Sequence, residues 1–349
     1  MPETASHIKA PLPEQLSPRY NQGVLLLIRF SFFVSLFLCG IKFMAWFLTG
    51  SLVILSDALE SIINVAGAGF AWYSTYLSGK PRDAEHPYGH GKVEFFSIGF
   101  EGALIFIAGL YIFYEGCTRL TNPQPVQQVA VGLVLTGFTG LINLIVGLIL
   151  LYKAKALNSI TLQGNGRHLL SDSYTSMGVL MAMVLVLLTG KNWIDPVASL
   201  VAGAVILLTG FRLVRRSVAG LMDEADPKVV ETIIRNLQQQ RCNNWIDVHN
   251  LRVQRYGSSY HVDCHLTLPF YFTLRQVHDE VSLLDKSLNA AFPSGDIEFF
   301  IHTDPCIPAS CQHCLLTACK ERQQPFIERL EWCSDNLLPN KKHGVEMPQ

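Results

Sequence analysis

Long apolar runs separated by short polar stretches fill the first two thirds of the chain. Six of them reach the roughly 20 mostly apolar residues that a bilayer-spanning helix needs: 26–48, 52–77, 95–117, 128–152, 166–189 and 194–214. The pattern changes near Leu221. Asp226-Pro227 reads as a helix start, with Asp as the cap and Pro at the first helical position, and the helix runs to about Gln240. Residues 249–256 read as a strand, Gly257-Ser258-Ser259 as a turn, and 260–268 as an alternating second strand. Thr273-Leu-Arg-Gln276 is a capping box that opens a helix to about Phe292, and 297–302 is a third strand. The order α-β-β-α-β predicts a small α+β layer with helices on one face of a sheet. Residues 306–349 have no clear period apart from a short helix expected at 324–333. The expected architecture is therefore a polytopic α-helical membrane protein. It has an N-terminal segment (1–23), a six-helix transmembrane domain (24–218), a cytoplasmic α+β domain (219–305) and a cysteine-rich tail (306–349). A soluble helical bundle is the alternative that six such runs disfavour.

Charge sharpens this division. Only 16% of the 349 residues are charged, against about 25% in globular proteins. Residues 1–218 carry 15 Lys+Arg and 11 Asp+Glu, and residues 219–349 carry 12 and 17. An acidic soluble part on a membrane body suits cations better than nucleic acid. Lys80, Arg82 and Lys92 sit in the second loop, Lys153, Lys155 and Arg167 flank the fourth, and Arg212, Arg215 and Arg216 follow the sixth run. The first, third and fifth loops carry none, Arg119 and Lys191. The positive-inside rule then places both termini in the cytoplasm. Residues 1–22 are polar, so no cleaved signal is expected. No Walker-type phosphate loop, Gly-x-Ser-x-Gly or kinase signature is present, which argues against ATP hydrolysis and acyl-transfer chemistry.

Candidate chemistry falls in four places. His168 and Asp172, four residues apart in the fifth run, share one helix face. Inside a bilayer such a pair is costly unless it meets a bundle interior, a cavity or a cation. The second run offers Asp57, Glu60 and Asn64. Glu60, Asn64, His168 and Asp172 together supply one nitrogen and three oxygen donors, a tetrahedral set whose two carboxylates balance a divalent ion. The second loop carries Asp83, His86 and His90 within eight residues, a Gly- and Pro-rich stretch that either wraps one ion or is solvated surface. In the soluble part His261, Asp263 and His265 share a strand face. His302 and Asp304 share another, His249 opens the first strand, and His278 lies on the helix. The tail gives Cys306-x4-Cys311-x2-Cys314-x4-Cys319. Four thiolates at such intervals bind zinc or copper(I), or hold an iron–sulfur cluster; reduced, unliganded thiols are the alternative.

These residues carry a family resemblance over about 24–305. Gly50-Ser51-x5-Asp57, Asp83-x2-His86-x3-His90-Gly-Lys92-x-Glu94, His168-x3-Asp172-x3-Ser176, Val248-His249-Asn-Leu-Arg252 and His302-Thr-Asp304-Pro305 resemble the cation diffusion facilitators, in particular the bacterial branch that exports zinc, ferrous iron and related metals. The resemblance implies a homodimer of six-helix bundles with ferredoxin-like cytoplasmic domains. It implies a transport site at Glu60, Asn64, His168 and Asp172, a loop site at Asp83, His86 and His90, and a cytoplasmic site from His249, His265, His278, His302 and Asp304 with a binuclear cluster at the dimer interface. Lys92 and Asp223 match positions of an ion pair that interlocks bundle and soluble domain. Such members usually present Asp or His at position 60 and Asp at 64, where this chain has Glu60 and Asn64. The amide is a weaker donor than a carboxylate, so either the affinity for zinc is lower or selectivity shifts toward harder ions that accept oxygen ligands.

The function expected is secondary active efflux of a divalent metal against protons, without ATP, from a bacterial plasma membrane. Zinc is the first choice of cargo, with iron, manganese, cobalt, nickel or cadmium as alternatives. A non-transporting metal sensor or scaffold, and a passive channel, are the rival readings.

Overall fold

The computed structural model describes residues 22–122, 124–157, 160–256, 259–290 and 297–343. The expected turn residues Gly257 and Ser258, the expected helix end at Phe292 and the N-terminal segment before residue 22 lie outside them. Six long helices come first: α1 (Gln22–Thr49), α2 (Leu52–Ser78), α3 (Val93–Thr121), α4 (Val129–Leu157), α5 (Ile160–Thr189) and α6 (Ile194–Leu221). Each contains a stretch long and apolar enough to cross a membrane, from Arg29–Thr49 in the first to Ile194–Leu221 in the last. A smaller domain follows with α7 (Pro227–Gln240), β1 (Asp247–Tyr256), β2 (Ser259–Leu268), α8 (Leu274–Ala290) and β3 (Ile297–Pro305), and a single turn, α9 (Ser334–Leu337), is the last helical element described.

The chain forms two compact units. The first takes in residues up to Val65 and Ile107–Leu207. Gly50 ends α1 in the left-handed conformation (φ 65°) and donates its N–H to Trp46 O at 2.7 Å, a glycine C-cap that lets α2 start two residues later. The new helix start is capped in tertiary fashion: the buried Asp195 carboxylate accepts from Leu52 N at 2.9 Å and from the Ser51 hydroxyl. A carboxylate there satisfies orphan N–H groups and suits the positive end of the helix dipole. Helices α4 and α5 approach closely at Gly147 and Gly166, where an added Cβ would meet the other glycine's carbonyl oxygen at 3.1 and 3.0 Å. Small residues permit such contact between apolar helices.

The second unit takes in Ala66–Phe106 and Leu208 onward. Its sheet has the order β1-β2-β3, with β1 antiparallel to β2 and β2 parallel to β3, so α8 is the crossover. Asp226 caps α7, accepting from Lys228 N at 2.9 Å, and Thr273 and Gln276 bond reciprocally at the start of α8. Val230, Ile233 and Leu237 of α7, Leu284 and Leu288 of α8, and Val262, Cys264 and Leu266 of β2 form one core. In β1 the residues on the core face are Val248, Leu251 and Val253. Strict alternation cannot place both 248 and 251 on one face. A bulge between His249 and Arg252, with Asn250 in the left-handed region (φ 53°), supplies the extra residue.

The tail departs from its sequence reading. Residues 324–333 are not helical; a 3₁₀ turn (Pro308–Gln312) and the short α9 are the only helical pieces described there. The segment is held by packing instead of by helical periodicity: Trp332 and Leu337 enter the domain core, and Arg241 lies 4.1 Å over the Trp332 ring.

Candidate transport and metal sites

In the first unit, α2 and α5 bring polar groups together within apolar helices. Asn64 Nδ2 donates to Asp172 Oδ1 at 3.3 Å, and His168 Nε2 lies 3.8 Å from Asp172 Oδ2. Glu60 lies within electrostatic range of Asp172, Asp57 and Lys42. Asp57 is already engaged. Lys42 of α1 donates to its Oδ1 at 2.8 Å and to Ser61 Oγ at 2.8 Å, and the Ser176 hydroxyl reaches both Asp57 oxygens at 3.3 Å. Lys42 and Asp57 are each 2% exposed at the side chain, so the ion pair is sealed. Pairing with Lys42 neutralises Asp57 and leaves Glu60 and Asp172 as the two carboxylates without a resident cation. Sequence reading passed over Lys42 and Asp195, although an ionisable residue inside an apolar run is itself a functional signal.

In the second unit, the α2–α3 loop folds around Asp83. Its Oδ1 accepts from His86 N at 2.7 Å and Glu85 N at 3.1 Å, and its carboxylate lies 3.1 Å from His86 Nδ1 and 3.4 Å from His90 Nε2. The His86 N–H bond holds the Asp83 carboxyl below its usual range. Gly89 (φ 87°) makes the turn that returns His90 to this point.

The loop also meets the sheet. Tyr88 stacks on Tyr256 at 5.8 Å, and both rings enclose the buried His261. Arg82 Nη2 donates to Glu298 Oε2 at 2.6 Å. Lys92 Nζ donates to Asp223 Oδ2 at 3.0 Å, and Asp223 sits in the left-handed region (φ 59°) just past α6. Burial works against the Lys92 charge, but Asp223 and Tyr256 outweigh it and raise the lysine's pKa. A raised pKa means the pair's contribution is fully present at neutral pH and is lost as pH rises through the folded value. A double-mutant cycle on Lys92→Met and Asp223→Asn should give a coupling of about 1 kcal/mol in thermal denaturation at pH 7, the upper range for half-exposed pairs. Additive effects would mean the contact is idle.

The third cluster lies across the sheet. His249 and His265 are register partners on β1 and β2, and His265 and His302 on β2 and β3. Asp304 joins them: its Oδ2 lies 3.2 Å from His265 Nδ1 and 3.5 Å from His249 Nε2, and its Oδ1 lies 3.5 Å from His302 Nε2. Burial opposes the Asp304 charge, yet His265 and Lys342 hold its pKa below the usual carboxylate range. The tail reaches in here, with Lys342 Nζ 3.4 Å from Asp304 and His343 on Asp247. Asp247 Oδ2 in turn lies 3.2 Å from His249 Nδ1, without the alignment of a hydrogen bond.

Among the described residues, two groups have three His, Cys or carboxylate ligand atoms within 4.8 Å of one another: Asp83, His86, His90 and His249, His265, Asp304. His302 adjoins the second through its ring, 4.6 Å from that of His265. His278 is exposed on α8 and stands outside that group. Neither Glu60, His168 and Asp172 nor any three of the four tail cysteines form such a group among the described residues.

Comparison with known proteins bears on residues 28–306. A family model described as the cation efflux transmembrane domain matches residues 28–222, and one described as the cation efflux protein cytoplasmic domain matches 225–306. An uncharacterized transporter of Synechocystis sp. is 36% identical over 275 residues, 78% of this chain and 88% of that protein. The cation-efflux pump FieF of Shewanella oneidensis is 29% identical over 290 residues, 82% of this chain and 96% of the pump. FieF of Yersinia pestis is 28% identical over 271 residues, 76% and 87% of the two chains.

Proposed function

The chain belongs to the cation efflux family, the cation diffusion facilitators, and from that premise we propose that it exports a divalent metal in exchange for protons through Glu60, Asn64, His168 and Asp172. The observation that carries the proposal is the cluster in α2 and α5, where Asn64 and His168 both address Asp172 within helices able to span a membrane. Metal needs neutral imidazole and ionised carboxylate, and protons occupy the same groups once metal leaves. That competition supplies the coupling, with access alternating around a site between helices. One nitrogen and three oxygen donors suit zinc, and the amide of Asn64 lowers affinity relative to a third carboxylate.

The second unit is read as the regulator. Asp83, His86 and His90 hold one ion, and His249, His265 and Asp304, extended by His302, hold another. His278 joins only through a second copy of the chain, in a homodimer whose cytoplasmic domains approach when metal binds. Both termini are assigned to the cytoplasm of a bacterial cell, in keeping with the loop charges and the bacterial relatives.

The direct test is zinc flux in proteoliposomes under an imposed pH gradient. Uptake that follows the gradient, with matching proton movement, is the expected result. Binding without proton movement would indicate a sensor, and flux indifferent to the gradient a channel. For the sheet site, His265→Ala should weaken zinc binding in calorimetry on the full chain by at least about tenfold. An unchanged isotherm would remove that residue from the ligand set.

A further inference from the structure

Cys306, Cys311, Cys314 and Cys319 lie at and beyond the end of the matched cytoplasmic domain, which stops at residue 306. All four are free thiols, and all four line one small pocket together with Phe270 and Tyr271. The chain is shaped to bring them there. Cys306 N donates to Leu268 O at 2.8 Å, continuing the β3 ladder by one residue. The 3₁₀ turn Pro308–Gln312 then carries Cys311, and Cys314 N and Cys319 N close turns onto Cys311 O and Leu316 O.

Arg322 organises the loop from within. Its guanidinium donates to three carbonyls of the loop, Cys311 O at 2.7 Å, Cys314 O at 2.9 Å and Leu316 O at 2.9 Å. A fixed cation beside four thiols offsets the charge that thiolates would bring. The segment is anchored downstream as well, since Trp332 and Leu337 sit in the domain core. Cys264 shows the contrast. It packs among Val262, Leu266 and other core side chains, and burial pushes its thiol up to about 12. Burial raises the Cys306 and Cys314 thiols as well, but all four tail thiols line a void, where the Tyr271 hydroxyl donates to Cys319 Sγ at 3.7 Å.

We propose that Cys306, Cys311, Cys314 and Cys319 form a tetrathiolate centre for a thiophilic metal, separate from the nitrogen and oxygen sites used for cargo and regulation. Two occupants share this donor chemistry, a single zinc ion and an iron–sulfur cluster. Tetrahedral zinc with Zn–S of about 2.3 Å sets sulfurs about 3.8 Å apart. Among the described residues no three of these sulfurs come within 4.8 Å of one another. Zinc therefore requires the loop to close by at least about an ångström, whereas a polynuclear cluster takes the wider spacing.

The full chain is purified anaerobically in detergent, and its zinc, iron and acid-labile sulfide are counted. The parent should hold about one equivalent of zinc more than Cys311→Ser/Cys314→Ser, whose nitrogen and oxygen sites keep theirs, or else iron with matching sulfide and a visible absorption band that falls at least tenfold in that variant. Cys333→Ser, whose exposed thiol lies outside the pocket, should keep it. Because the double variant can fail by misfolding, cobalt(II) is added to the parent protein stripped of metal. Thiolate-to-cobalt charge-transfer absorption, with four thiols protected from a maleimide, supports the centre. Parent protein without zinc or iron–sulfide beyond the double variant's level, and with all four thiols freely labelled in the presence of cobalt, overturns it.

Discussion

Asp172→Ala is expected to bring pH-gradient-driven zinc uptake down to that of protein-free vesicles, a loss of at least about 100-fold, the upper end of what even indirect metal-site changes produce. Asp172 is 8% exposed and stands where the site converges. It accepts from Asn64 and faces His168 one helical turn away. Alanine removes one of the two carboxylates that Lys42 leaves uncompensated, so the remaining set, Glu60 with a neutral amide and imidazole, no longer balances a divalent ion in a low-dielectric setting. The control for folding is zinc bound at the sheet site of the same variant, which should match the parent. If the variant transports like the parent, the central site lies elsewhere. Asn64→Asp tests the other half. A third carboxylate should tighten zinc binding and slow its release, lowering the zinc concentration at half-maximal flux together with maximal flux.

The parts of the molecule legible in the sequence were those written in local pattern. Six apolar runs gave six helices, because length and hydropathy suffice to identify a span. Asp226-Pro227 and the Thr273–Gln276 box marked helix starts because a cap acts within three residues. Period-two alternation put His265 of β2 on the face opposite the core, and the structure aligns it there with His249 and His302. What escaped depends on distant partners. Asp195 caps α2 from 143 residues away. The bulge at Asn250 depends on which β1 side chains the core needs, and Asn250 N is met by Pro339 O of the tail. The tail carried only the expectation of a short helix at 324–333, which the structure does not form; Trp332 and Leu337 fix it by insertion into a core formed by other elements. Lys42 was legible as a charge in an apolar run, but its meaning required Asp57 and Ser61 to be seen beside it.

That ion pair makes the second large prediction. Lys42→Met should destabilise the protein by about 3–5 kcal/mol, because it strands a buried carboxylate without its partner. Asp57 would keep only the Ser176 hydroxyl, with Glu60 and Asp172 as anionic neighbours. The formal charge explains why flux should suffer as well. Lys42 with Asp57, Glu60 and Asp172 sums to −2 with His168 neutral, a match for one divalent cation; without Lys42 the same groups would sum to −3. Such a site should retain metal or take up a proton in its place, and either outcome slows turnover. The double variant Lys42→Met/Asp57→Asn restores −2 and removes the stranded charge. It should regain most of the melting temperature and part of the flux, since replacing both members of a buried pair is often nearly neutral. Thermal denaturation in detergent and vesicle flux on the single and double variants read the two effects separately. Parent-like stability and flux in Lys42→Met would show that Asp57 needs no counter-charge, and the assignment of Glu60 and Asp172 as the free carboxylates would fall with it.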